Sequence, residues 1–275
     1  GSLFVFLRPL GLRLVVAVKE DGTMDRAAMA TITNHDDLAA VEAALRIKDA
    51  TGCKVVVVSM GPPPAEGMLR ELLAMGCDEA VLVSAREFGG SDTYATSQIL
   101  AAAIKKVGVD EDDIVFCGRQ AIDGDTAQVG PQVAEKLGLP QVTYAEEILD
   151  IKDSTLVIRR RLNCGTEVVE CPVPAVITVN ASAPECRPRN AKLVMKYKRA
   201  MVPMEKPAEG LAYAEEYEKK PYLTLGQLST ADVDADLKQC GLSGSPTKVK
   251  AVQNIVFKAK ESKVLTASDA DVEGL

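Results

Sequence analysis

Short valine-rich runs recur along this chain, each followed by a stretch of helical periodicity, and that alternation constrains the fold more than any other feature. Residues 14–18 (LVVAV), 54–59 (KVVVVS), 80–83 (AVLV) and the IVFCG of DDIVFCG are apolar at nearly every position. A strand that is apolar on both faces has to be covered on both, which is the situation of a parallel sheet between two layers of helices. The intervening segments supply those helices. In DDLAAVEAALRIKDATG, Leu38, Val41, Ala44, Leu45 and Ile47 recur at helical spacing and Gly52 closes the element. After GPPP, residues 65–75 form a second helix through Met68, Leu69, Leu72 and Leu73, closed by Gly76; residues 96–107 form a third and 132–137 a fourth. The expected class is α/β, a doubly wound and mostly parallel sheet in three layers, with ligands beyond the carboxyl ends of its strands.

Past Pro140 the pattern changes. STLVIRRRL (154–162) and TEVVECPVPAVITVN (166–180) read as strands, the first with one face in water, joined as a hairpin. From residue 184 the chain turns basic and irregular, and beyond residue 201 it is polar, with weak amphipathic segments in LTLGQLSTADVDADL and SKVLTASDADVEGL. The domain is therefore expected over 14–200 and an extended C-terminal tail over 201–275; a tail with so little core of its own is suited to wrapping a partner. Residues 1–13 stay an unassigned leader that opens on Gly1-Ser2, read as a cloning scar.

Composition excludes several function classes. A net charge of −7 and a pI near 5.0 disfavour a nucleic-acid binder, which needs a basic face to displace counterions. Zero Trp and 4% aromatic residues disfavour base-stacking platforms. The opening apolar stretch is interrupted by Arg8, Pro9, Gly11 and Arg13, so no run approaches the ~20 residues that span a bilayer, and no membrane insertion is expected. Seven cysteines contain no C-x-x-C pair and His35 is the single histidine, which leaves no cluster with zinc-ligand spacing. Buried free thiols suit a reducing cytoplasm.

Three polar loops follow separate strands. CGRQAIDGDTAQVGP (117–131) leads from a strand into a helix, where backbone N–H groups make an anion site. Asp125 and Gln128 fit a capping box, and Pro131, beyond the first turn of a helix starting there, predicts an irregular helix start. Phosphate binding and an ordinary capped turn are equally good readings of this stretch alone. FGGSDTYATS (88–97) carries Gly90, Ser91, Asp92, Thr93 and Thr96, and TNHDDLAA (33–40) offers Asn34 or Asp36 as a helix cap. Convergence of all three on one sheet edge favours a ligand. KLVMKYKRA (192–200) is the clearest basic stretch in an acidic chain, suited to an acidic partner or a cofactor phosphate.

FCGRQAIDGDTAQVGPQVAEKLGLPQVT closely resembles the signature of the electron-transfer flavoprotein β subunit, and the likeness extends through VVAVK (15–19), EAALRIKD (42–49), SMGPPPAEGMLRELLAMGCDEA (59–80) and SGSPTKV (243–249). The resemblance implies a nucleotide-binding α/β subunit paired with a homologous α subunit. It also implies an adenine nucleotide contacting Ala17, the loop from Asn34 to Asp37, Met60, and the segment Ala121, Asp123, Gly124, Asp125, Thr126, Ala127, Gln128, Val129 and Gln132, with the pyrophosphate at 125–129. Gly90, Ser91, Asp92, Thr93 and Thr96 would then lie beside the flavin and its NADH. SAPECRPRNAKLVMK (182–196) corresponds to the recognition segment for a partner dehydrogenase, with Ala191 near the hydrophobic anchor and Met195-Lys196 matching the family pattern.

DGDTAQVGP and GGSDTYATS resemble the electron-bifurcating branch, which implies FAD in the β site, with AMP as the alternative. There NADH reduces the β-subunit flavin; one electron goes toward ferredoxin or flavodoxin and the other through the α-subunit FAD to an acyl-CoA or related dehydrogenase. No side-chain nucleophile is required, because the cofactor carries the chemistry. Two departures from the family stand out: the loop that resembles KQVPDT is not matched after Lys19-Glu20, and the C-terminal helix is cut short at Gly274-Leu275.

Overall fold

The computed structural model describes residues 2–7, 11–12, 31–122, 124–205, 214–234 and 236–248. Among the described residues, nine strands form one sheet. Strand β1 (Ser2–Leu7) sits near its middle, and a two-residue ladder pairs β2 (Gly11–Leu12) with β3 (Thr31–Ile32) outside it. Strands β4 (Lys54–Met60), β5 (Glu79–Val83), β6 (Ile114–Gly118), β7 (Gln141–Lys152), β8 (Thr155–Leu162), β9 (Gly165–Pro172), β10 (Ala175–Val179) and β11 (Gly226–Leu228) complete it in the order β11-β5-β4-β1-β6-β10-β7-β8-β9. Pairing is parallel from β11 to β7 and antiparallel across β7-β8-β9.

Helices α1 (His35–Thr51) and α2 (Glu66–Met75) cover one face; α3 (Thr93–Val107) and α4 (Val129–Leu137) cover the other. The central strands feed both cores by alternation. Val55 and Val57 pack under α1 and α2, whereas Val56 and Val58 pack under α3; Phe116 and Val115 divide likewise. This is the three-layer, doubly wound arrangement that the apolar runs require. A short helix α5 (Ala191–Tyr197) rests on α2, and α6 (Ala214–Lys219) and α7 (Gly241–Gly244) follow in the last third.

The first described strand lies inside the stretch taken as an unassigned leader, and the strand expected at residues 14–18 lies outside the described residues. Ser2–Leu7 pairs with β4 and β6 in a register that makes it a central strand. The run 166–180 is two strands, β9 and β10, broken at Val173-Pro174, where proline removes a ladder donor. β8 and β9 form the expected hairpin, and Leu156 and Ile158 are its core-facing residues. Strand β7, in a stretch where no strand is expected, joins that hairpin to the parallel sheet. Beyond residue 201, Val202, Tyr217, Leu223 and Leu225 enter the α1/α2 core, Val233 and Cys240 enter the α3/α4 core, and β11 caps the sheet edge at β5. No described helix is long and apolar enough to cross a membrane.

Candidate functional site

The chain runs from β4 to β5 on one side of β1 and then crosses to β6 on the other. A crevice therefore opens beyond the carboxyl ends of β1 and β6, the position where doubly wound sheets bind ligands. Two helix starts converge there. Asn34 caps α1 by accepting from the Asp36 N–H at 3.2 Å, and its Nδ2 donates to the Gln120 carbonyl at 2.6 Å, tying α1 to the β6–α4 loop. Asp37 Oδ1 accepts from the Gly118 N–H at 2.8 Å. Gly118 has to be glycine: a Cβ would stand 2.5 Å from Asp37 Oδ1 and 2.6 Å from the Asp37 nitrogen. Arg119 pairs with Asp36 at 3.3 Å, and burial pushes the Asp36 carboxyl up against the pull of that guanidinium.

The two helix starts differ in what they leave open. In α1 the first turn carries Asp36 and Asp37, which answer the positive end of the helix dipole from within the chain. In α4 the first turn holds no acidic residue, and the N-cap Gln128 makes no side-chain capping bond. The loop before it is wound in an unusual way: Asp125 and Ala127 have φ of 48° and 53°, and Gln128 returns to φ −96°, ψ −30°. A left-handed residue followed by a right-handed one turns successive N–H groups to one side, which makes a concave anion nest. Gln132, one turn into α4, has a buried Oε1 with no hydrogen-bond partner among the described residues. The described walls, from Asp37 and Cys117 through Gly130, enclose only about 20 Å³, so a nucleotide would lie along this edge rather than inside a closed cavity.

The expected capping box between Asp125 and Gln128 does not form. Asp125 Oδ1 accepts from Gln120 Nε2, and Gln128 Oε1 accepts from the Thr93 hydroxyl at 3.0 Å. Pro131 does not disturb the helix either. Because α4 starts at Val129, Pro131 is its third residue, where an N–H has no intrahelical partner to lose.

Of the residues singled out from sequence, Asn34, Asp37, Ala121, Gly124, Asp125, Thr126, Ala127, Gln128, Val129 and Gln132 come together around the end of β6. Met60 ends β4, two strands away on the same edge, roughly 10 Å at the usual strand spacing. Ala17 and Asp123 lie outside the described residues. Gly90, Ser91 and Asp92 precede α3, and Thr93 and Thr96 lie in its first turn; Thr96 is buried, and Thr93 reaches the β6–α4 loop through Gln128. Asp92 caps α3 by accepting from the Ala95 N–H at 3.0 Å. Ala191, Met195 and Lys196 lie on α5, which packs on α2 and is not among the residues that line the β6–α4 crevice. Met195 is 69% exposed, and Lys196 lies over the rings of Tyr197 and Tyr222 at 4.8 and 5.0 Å. Sequence reading missed Gly118, Arg119 and Gln120, whose roles come from contacts with a helix start more than eighty positions earlier.

The segment leading to α5 is pinned to the helical face. Arg187 bridges Glu42, at 2.9 Å, and Asp49, at 2.8 Å, while Arg189 reaches Glu71 at 2.8 Å. Burial would raise the Glu42 carboxyl, but Arg187 and Arg46 together hold it below its ordinary value.

Comparison with known proteins follows the same outline. The electron transfer flavoprotein domain matches residues 21–209. The chain is 49% identical over 235 residues to the acryloyl-CoA reductase electron transfer subunit gamma of Anaerotignum propionicum, covering 85% of this chain and 80% of that one. It is 46% identical over 229 residues to the electron transfer flavoprotein subunit beta of Clostridium acetobutylicum (83% and 78% covered), and 54% identical over 158 residues to the caffeyl-CoA reductase-Etf complex subunit CarD of Acetobacterium woodii (57% and 59% covered). With the domain match spanning most of the sheet and its crevice, and β subunits among relatives this similar, the chain belongs to the β-subunit family of electron transfer flavoproteins.

Proposed function

We propose that this chain is the β subunit of a heterodimeric electron-transfer flavoprotein whose β6–α4 loop holds the pyrophosphate of FAD, and that it passes electrons from NADH to ferredoxin or flavodoxin and, through the FAD of an α subunit, to an acyl-CoA or related dehydrogenase. The observation that carries the binding site is the start of α4: a left-handed to right-handed nest at Ala127-Gln128, no acidic residue in the first turn, and a buried acceptor at Gln132 with no described partner. Backbone N–H groups at 127–129, with the Thr126 hydroxyl, would take the phosphates; Asp125 shapes the turn through Gln120 instead of facing an anion. Bound FAD supplies the hydride and single-electron chemistry, and the protein contributes orientation and electrostatics. Asn34 and Asp37 hold the loop in register with α1, and Thr93 holds Gln128 from the α3 side. The dehydrogenase assignment is supported by the names of two relatives, subunits that serve acryloyl-CoA and caffeyl-CoA reductases.

The second reading, AMP held in the same loop with all electron traffic through the partner's flavin, uses the same nest. Denaturing the purified heterodimer and quantifying what it releases separates the two. Two FAD per heterodimer supports FAD in the β site; one FAD and one AMP would sink it.

A further inference from the structure

The loop at residues 89–92 lies where NADH and flavin contacts are expected, yet most of its polar groups are engaged from behind. Asp92 Oδ2 accepts both the Thr247 N–H, at 2.9 Å, and the Thr247 hydroxyl, at 2.8 Å, while Oδ1 is taken by the helix cap. The Asp92 N–H donates to Ser245 Oγ at 2.8 Å, and the Ser245 hydroxyl donates in turn to the Gly241 carbonyl at 2.6 Å. Ser91 Oγ accepts the Gly241 N–H at 3.1 Å. Gly90 leaves the notch that receives Leu242, whose Cγ lies 2.6 Å from where a Cβ would be. Ser245 is buried. Burial alone would raise the Asp92 carboxyl, but the N–H groups of Ala95, Thr247 and Tyr94 and the Thr247 hydroxyl outweigh it and hold the group in its charged form.

The next residue faces the other way. Thr93 donates to Gln128, the residue that ends the anion nest and stands at the N-cap of α4. A chain of direct contacts thus runs from Thr247 to Asp92, along one peptide to Thr93, and across to the nest.

We propose that the segment from Gly241 to Thr247 is a positioning strap for the nucleotide loop, with Thr247 and Ser245 fixing Asp92 so that Thr93 holds Gln128 in the conformation that presents the nest. Neither hydroxyl touches the ligand; both are positioning residues. The inference rests on the nucleotide lying at the β6–α4 loop.

The test uses the full heterodimer, stripped of its β-site nucleotide, with AMP and FAD as probes in equilibrium titrations. Thr247→Val removes the hydroxyl and keeps the shape, Thr247→Ser restores it, and Thr93→Val cuts the relay at its far end. Losing one net hydrogen bond's worth of positioning weakens binding about threefold to tenfold in Thr247→Val. Thr247→Ser should bind as wild type does, and adding Thr247→Val to Thr93→Val should cause no further loss, because the two act in series. Wild-type affinity in Thr247→Val, or losses that multiply in the double variant, would overturn the strap. Thr126→Val serves as the reference for the site itself: if it too binds normally, the placement of the nucleotide has failed; if it binds weakly while Thr247→Val does not, only the strap has failed.

Discussion

Gly118→Ala is the substitution that tests how the start of α1 is seated on the end of β6. The methyl group would arrive 2.5–2.7 Å from Asp37 Oδ1, the Asp37 nitrogen and the Asp36 carbonyl carbon, two of which are main-chain atoms that no rotamer change can move. Reaching ordinary contact requires the first turn of α1 to withdraw by roughly 0.7–0.9 Å, and Gly118 is itself buried in the middle of the sheet. Overpacking of this kind costs about 1–3 kcal/mol. The same withdrawal stretches the bonds from Gly118 to Asp37 and from Asn34 to Gln120, which adds about 1 kcal/mol. A total of about 2–4 kcal/mol corresponds to a fall in Tm of roughly 4–16 °C for a domain of this size. The control is Gly138→Ala, where φ is 69° and nothing lies within 4 Å, so only left-handed strain of about 1–2 kcal/mol is incurred. Thermal unfolding of the two variants side by side decides the matter. A Tm for Gly118→Ala no lower than that of Gly138→Ala would refute the claim that α1 is seated on the end of β6.

Replacing Arg187 by Met leaves the buried Glu42 with Arg46 and the backbone N–H of residue 187, and should cost about 1–3 kcal/mol in a denaturant titration, with Glu42→Gln restoring part of it in the double variant. Because the folded Glu42 carboxyl lies below its ordinary value of 4.5, the stability it contributes is present above that value and is lost as pH falls through the lower folded one; Arg187→Met should flatten this acid limb. Among the cysteines, Cys164 is exposed, whereas burial pushes the Cys77 thiol up to about 12 and the Cys186 thiol to about 11, so maleimide followed by mass spectrometry should label Cys164 first, and early labelling of Cys77 would contradict the packing. On the proposal that the α5 segment recognises a partner dehydrogenase, as the family resemblance implies, Met195→Asp at its 69% exposed position should leave Tm within about 1 °C and lower electron delivery to that partner about tenfold through KM.

The parts of the fold that were legible in the sequence are those whose physics is local. Valine runs at 54–60 and 79–83 announce strands covered on both faces, and Asn34 and Gly52 mark the ends of α1 as cap and left-handed stop. Strand β7 was hidden because its period is broken: Tyr144 has φ 58°, and register shifts at 145/147 and 148/150 move charged and apolar residues off strict alternation. β1 was overlooked because an apolar segment followed by Arg8 and Pro9 looks the same as a leader until β4 and β6 are seen to flank it. The end of β6 was read as a candidate ligand loop, but the start of α4 at Val129 was not read from sequence, since a turn built on left-handed Asp125 and Ala127 has no glycine signal at those positions. The cap role of Asp92 was readable; its second engagement, with Thr247, was not, because no local pattern announces a contact between distant positions.

That contact has a consequence in time. Asp92 and Thr247 are 155 residues apart. At a synthesis rate of about 5–20 residues per second, roughly 8–30 s pass between the appearance of the loop and the appearance of the segment that closes on it. During that interval β6 to β10 emerge and can join β1, β4 and β5, while the Gly90 notch and one carboxylate oxygen of Asp92 lack the contacts that Leu242 and Thr247 later supply. Among the described residues the last strand to join, β11, and the hydroxyls that follow it make the loop before α3 the final part to mature, so a chain released early would carry the central sheet without a finished 89–92 loop.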